Sequence, residues 1–115
     1  MKLTNKLLLS LALAAGITNS ALAADLHNGI GAACSGHGTW HFVNNQTGGA
    51  AAGLLSAQFS NSNFTNVRPT KVLSSVQHFV VDTYGKDTLV NASTNLPGKL
   101  VLSDYKCVPV VCPEC

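Results

Sequence analysis

Charge is what this chain has least of: Asp, Glu, Lys and Arg make up 10% of its 115 residues. No basic stripe is present to neutralise phosphates, and no acidic block takes its place. Nucleic acid and anionic membrane surfaces are therefore not expected partners. Aromatic residues are also scarce, at 6%, with one Trp, two Tyr and four Phe, so few large side chains can anchor a core. No apolar run approaches the ~20 residues needed to cross a bilayer as a helix. There is no internal repeat, no heptad pattern and no G-x-S-x-G around a serine. The five acids include Asp25 and Glu114 near the ends of the exported chain, which leaves few carboxylates to pair for acid–base work. The expectation is a protein that is not an enzyme and that carries no cofactor.

Residues 1–23 have the three parts of a secretory leader: Lys2 and Lys6, then the apolar stretch from Leu7 to Ile17, then Ala21-Leu22-Ala23. Cleavage would expose Ala24, and the product would be secreted to the periplasm or beyond, with no membrane insertion afterwards. In residues 24–115, Arg68, Lys71, Lys86, Lys99 and Lys106 balance Asp25, Asp82, Asp87, Asp104 and Glu114. The exported chain is neutral.

Beyond an aperiodic arm at residues 24–33, alternation with period 2 dominates. Trp40, Phe42 and Asn44 alternate with His41 and Val43, and Leu55, Ala57 and Phe59 with Ser56 and Gln58. Phe64 to Val67 forms a short strand, halted at Pro69, which has no N–H for a sheet ladder. Val72 and Leu73 read as a connecting segment or an edge strand. Val76 to Tyr84 is rich in β-branched and aromatic residues, with Phe79, Val81 and Thr83 on one face and His78, Val80, Asp82 and Tyr84 on the other. Thr88 to Ala92 and Lys99 to Lys106 complete the set. Gly, Asn and Pro clusters separate the segments, as in an antiparallel sandwich. Ala50 to Leu55 has the composition of a helical turn, weakened by Gly53.

Four cysteines, Cys34, Cys107, Cys112 and Cys115, allow three pairings. Export permits disulfides. Cys34 precedes the first full predicted strand and Cys107 follows the last, so a bridge between them would tie the ends of the sheet region together, worth roughly 4 kcal/mol in the chain-entropy model. Cys112-Pro113-Glu114-Cys115 reads as a tail loop or an intermolecular crosslink, with thiol redox or metal binding as alternatives. Residues 108–115 are expected to form a Cys-containing tail, with Val108 to Val111 extended, accessible and kept from the central sheet by Pro109.

His27, His37, His41 and His78 raise a metal question. His37 and His41 are candidate ligands on one strand face, about 13 Å apart unless Gly38 bends the chain. Copper or zinc would suit them. Asp82, Asp87 and Asp104 lack the D-x-D spacing of a calcium loop. The sequons at Asn45, Asn63 and Asn91 read as ordinary turn chemistry.

Cys34, Trp40-His41-Phe42-Val43-Asn44, Gln77-His78-Phe79, the Gly-x-Leu-x-Leu-Ser pattern from Gly98 to Ser103, and Cys107 together resemble the small Ig-like β-sandwich modules of secreted and surface bacterial proteins. The resemblance covers residues 34–107. It implies an all-β, antiparallel Ig-like sandwich and the Cys34–Cys107 pairing, and it implies no activity. The functional expectation is a secreted, non-enzymatic binding or assembly module whose partner is itself or another surface protein. The alternative is a periplasmic thiol or metal protein.

Overall fold

The computed structural model describes residues 23–109. They form two antiparallel sheets, packed as a sandwich, and no helix occurs among them. In chain order the strands are β1 (Ala24–Asp25), β2 (Ala33–Cys34), β3 (Gly36–Asn45), β4 (Leu55–Phe59), β5 (Asn63–Val67), β6 (Lys71–Val72), β7 (Val76–Tyr84), β8 (Asp87–Thr94) and β9 (Lys99–Pro109). The first sheet has the order β1-β8-β4-β5, with β2 also on β8; the second has β6-β7-β3-β9.

The period-2 pattern sets the two inner faces. Trp40, Phe42, Phe79, Val81, Leu100 and Leu102 of the second sheet are buried together with Leu55, Ala57, Phe59, Leu89 and Ala92 of the first. Each large side chain so buried contributes roughly 1.5–3 kcal/mol. Trp40 is the centrepiece, fully buried, with Tyr105 stacked on it at 4.5 Å between ring centroids and Phe59 tilted against it at 4.9 Å. Its indole Nε1 donates to Thr83 Oγ1 at 2.8 Å, which satisfies the one polar atom of the ring.

Buried polar side chains fix the loops at the opposite end. Gln77 accepts from the Gly53 backbone N–H and donates to the carbonyls of Ala50 and Ala51, pinning the connector before β4. That connector is irregular, not a helical turn: its carbonyls are drawn to Gln77 rather than to an N–H further along the chain. Asn44 donates to the Pro97 carbonyl and accepts from Thr94 Oγ1. Both side chains are fully buried, where an unpaired amide would cost more than its hydrogen bonds return.

The arm at residues 24–33 is part of the sandwich, contrary to the sequence expectation. Ala24 and Asp25 pair with Thr94 and Ser93, and Ala33 and Cys34 with Thr88 and Asp87, so both ends of the arm lie along the free edge of β8. Between them the chain leans across to the second sheet. His27 N–H donates to the Leu100 carbonyl, while Asn28 accepts from Leu102 N–H and donates to its carbonyl. Asn28 thus supplies by side chain the ladder bonds that a strand would supply by backbone. No periodicity announces such an arm.

Cys34 on β2 and Cys107 on β9 are joined by a disulfide, so the bridge links the two sheets on the side the arm closes. Cys107 lies inside β9, not beyond it. Val108 and Pro109 are extended and exposed, as expected, but they continue the strand opposite His37 and Gly36 rather than leaving the sheet at residue 108. Two features allow this. β9 is an edge strand, where a missing N–H can face away from the ladder. Gly36 also lets the backbones close in, since a Cβ there would stand 2.0 Å from the Val108 carbonyl oxygen.

Replacing Cys34 and Cys107 together with serine is expected to lower stability by about 2–5 kcal/mol. Urea unfolding of the two proteins checks this, and peptide mapping under non-reducing conditions should recover Cys34 linked to Cys107.

Candidate functional site

The two outer faces of the sandwich differ in chemistry. The second sheet carries three of the four histidines. On β3, His37, Thr39, His41, Val43 and Asn45 point outward, and on β7 so do Val76, His78, Val80, Asp82 and Tyr84. His37 and His41 share a face, as alternation requires, but each has a separate partner. His37 Nε2 lies 2.9 Å from Asp82 Oδ1, which also accepts from Thr39 Oγ1, and its ring stacks on Tyr84 at 4.7 Å. The pair is roughly half-exposed and contributes little to stability.

His41 Nε2 lies 2.9 Å from His78 Nδ1, and the two rings are 5.1 Å apart. One nitrogen must donate and the other accept, so at most one of the facing atoms is protonated. The pKa of His78 is held below the usual histidine value. Burial is the first cause, followed by the neighbouring His41 and Lys71, which is in register with His78 across β6.

The expected bend at Gly38 is absent. β3 pairs with β7 in unbroken register from His37 to Asn45, so three extended residues, Gly38 to Trp40, separate His37 from His41. Gly38 serves Trp40 instead: a Cβ there would lie 2.7 Å from both Trp40 Nε1 and Thr83 Oγ1. His27 is exposed on the arm, and Cys112 and Cys115 lie outside the described residues. Among the described residues no three His, Cys, Asp or Glu side chains are grouped to hold a metal ion. The three aspartates are dispersed. Asp82 meets His37, Asp104 sits on β9 opposite His41, and buried Asp87 caps the 60–62 loop by accepting from Ser60 Oγ, Asn61 N–H and Ser62 Oγ.

The outer face of the first sheet carries a trough of about 350 Å³. Its polar lining comes from three strands in pairs two residues apart: Asn63 and Thr65 on β5, Ser56 and Gln58 on β4, and Asn91 and Ser93 on β8. Gln58 is in register with both Asn63 and Asn91, which makes a row of three carboxamides across the sheet. Ser56 is in register with Ser93, forming a hydroxyl row beside it. No charged residue lines the trough, and among the described residues no hydrogen bond joins these six side chains to one another. Asn63 and Asn91 lie on strands rather than in turns, whereas Asn45 ends β3 and Gln46 and Thr47 enter the turn that follows. An N-x-S/T triplet is itself a period-2 pattern, and on a strand it sends both polar side chains to one face. That was the signal in the sequence for this surface, and the turn reading missed it.

Comparison with known proteins finds no matching family model, no similar curated protein and no similar solved structure.

Because the pKa of His78 is depressed in the folded state, the unfolded chain binds more protons as pH falls through about 6.5. Stability should be full above that value and decline on acidification toward the lowered folded pKa. Thermal melts from pH 7.5 to pH 5 check this, with His78→Gln expected to flatten the slope.

Proposed function

We propose that this chain is a secreted, non-enzymatic binding or assembly module. It engages its partner, a second copy or another surface protein, through the uncharged outer face of the first sheet. The observation that carries this reading is the alignment of three polar pairs into adjacent amide and hydroxyl rows. Side chains of this kind offer donors and acceptors without the desolvation cost of charge. β5 borders the trough as the sheet's edge strand and holds no Lys, Asp, Glu or Pro, the residues that commonly protect an edge from pairing. β6 and β9 at the other sheet's edges carry Lys71, Lys99 and Lys106.

The leader motif and the inter-sheet disulfide support export to an oxidising compartment. The bridge also accords with an Ig-like module, the finer reading of the sandwich. Residues 110–115, with Cys112 and Cys115, follow the end of β9 and would serve as a covalent staple between copies.

Sedimentation velocity over a concentration series tests the assembly. Wild-type protein is expected to associate in a way nearly independent of salt, since no charge lines the trough. The double variant Gln58→Lys/Asn91→Lys should be monomeric while melting as the wild type does. Removing residues 110–115 should leave the fold intact and weaken the larger species. Monomers throughout would overturn assembly with a second copy.

A further inference from the structure

We propose that His41 and His78 form a copper(II) site on the open face of the second sheet, independent of the uncharged trough. The geometry is the starting point: His41 Nε2 and His78 Nδ1 are 2.9 Å apart. Two imidazole nitrogens bound at ~2.0 Å in adjacent positions of a square-planar ion stand about 2.8 Å apart, whereas tetrahedral coordination separates them by about 3.3 Å. The observed 2.9 Å is set by the hydrogen bond between the rings and lies near both values; small rotations of the two rings would turn both lone pairs onto one ion. Tetragonal nitrogen and oxygen coordination favours copper(II), which also leads the divalent series in affinity for such ligands.

The scaffold holds the two rings in place. β3 and β7 are the central strands of their sheet, and their ladder is unbroken along its length, so neither backbone has to move for the rings to converge. Binding requires one ring to exchange tautomers, leaving each with its proton on the nitrogen away from the metal. Burial, the first cause of its lowered pKa, already disfavours the protonated form of His78.

The surrounding groups are of both signs. Asp104 on β9 is in register with His41 and brings negative charge to the neighbouring strand, while Lys71 on β6 is in register with His78 and opposes it. Val80 faces His41 from β7 and Val43 faces His78 from β3, and neither offers a ligand. Asp82 is engaged by His37 and Thr39. With no third protein ligand grouped at the site among the described residues, water completes the coordination, leaving exchangeable positions open to solvent.

The test uses the full exported chain, purified without reductant and titrated with copper(II) sulfate. Electron spin-echo spectroscopy should report two coordinated imidazoles, and calorimetry one ion per chain. His41→Ala and His78→Ala should each weaken binding about tenfold or more, since loss of even an outer partner of a metal ligand costs that much. His37→Ala and His27→Ala should leave it unchanged, Lys71→Gln should strengthen it, and zinc should bind less tightly. A spectrum of the wild type with no imidazole, or with one, would overturn the proposal without recourse to any variant. So would copper binding that survives His41→Ala or that disappears on removal of residues 110–115.

Discussion

The sandwich depends on closing one side of a small core. Two sheets with inner faces of modest size would leave Leu100, Leu102 and Leu89 open to water along the β8 and β9 edges. Residues 24–34 close that side, pairing with β8 at both ends and crossing to β9 in the middle. The Cys34–Cys107 bridge then makes the closure covalent. Chains of this size bury a limited share of their surface, and a cross-link that restricts the unfolded state is the usual complement.

Trp40 governs the interior in a comparable way. Its indole needs room above Gly38, a hydroxyl at Thr83 and rings at Phe59 and Tyr105, and these come from β3, β7, β4 and β9. One side chain thus sets the register of three strands in one sheet and the approach of the other. At the far end, Gln77 and Asn44 do the same for the loops through buried hydrogen bonds. These polar groups specify which loop goes where, a task for which apolar contacts are too undirected.

With the interior settled, the two outer faces are free to differ. The second sheet carries His37, His41, His78, Asp82, Asp104, Lys71, Lys99 and Lys106, and Lys86 lies in the turn beyond β7. The first sheet keeps its centre uncharged. The described residues therefore present one uncharged outer surface and another that carries the titratable groups.

Much of the fold was legible in the sequence because alternation is local. The strands at residues 55–59 and 76–84 have the bounds the pattern predicts, and Trp40, Phe42, Phe79, Val81 and Leu100 face inward as it requires. Glycine and proline were harder to read. Gly38 suggested a bend and is instead a space for an indole; Pro109 suggested an exit from the sheet and is instead the last residue of an edge strand. Their effects depend on what stands across the ladder. The docking of the arm was invisible for the same reason, since Asn28 bonds to Leu102, far along the chain. The sequence by itself determined which residues alternate, and hence the class of fold, and the low content of charge on its surface. Tertiary structure alone decided that His41 meets His78 and that Gln58 lines up with Asn63 and Asn91. Those neighbours are set by strand register, which long-range pairing fixes and no local pattern encodes.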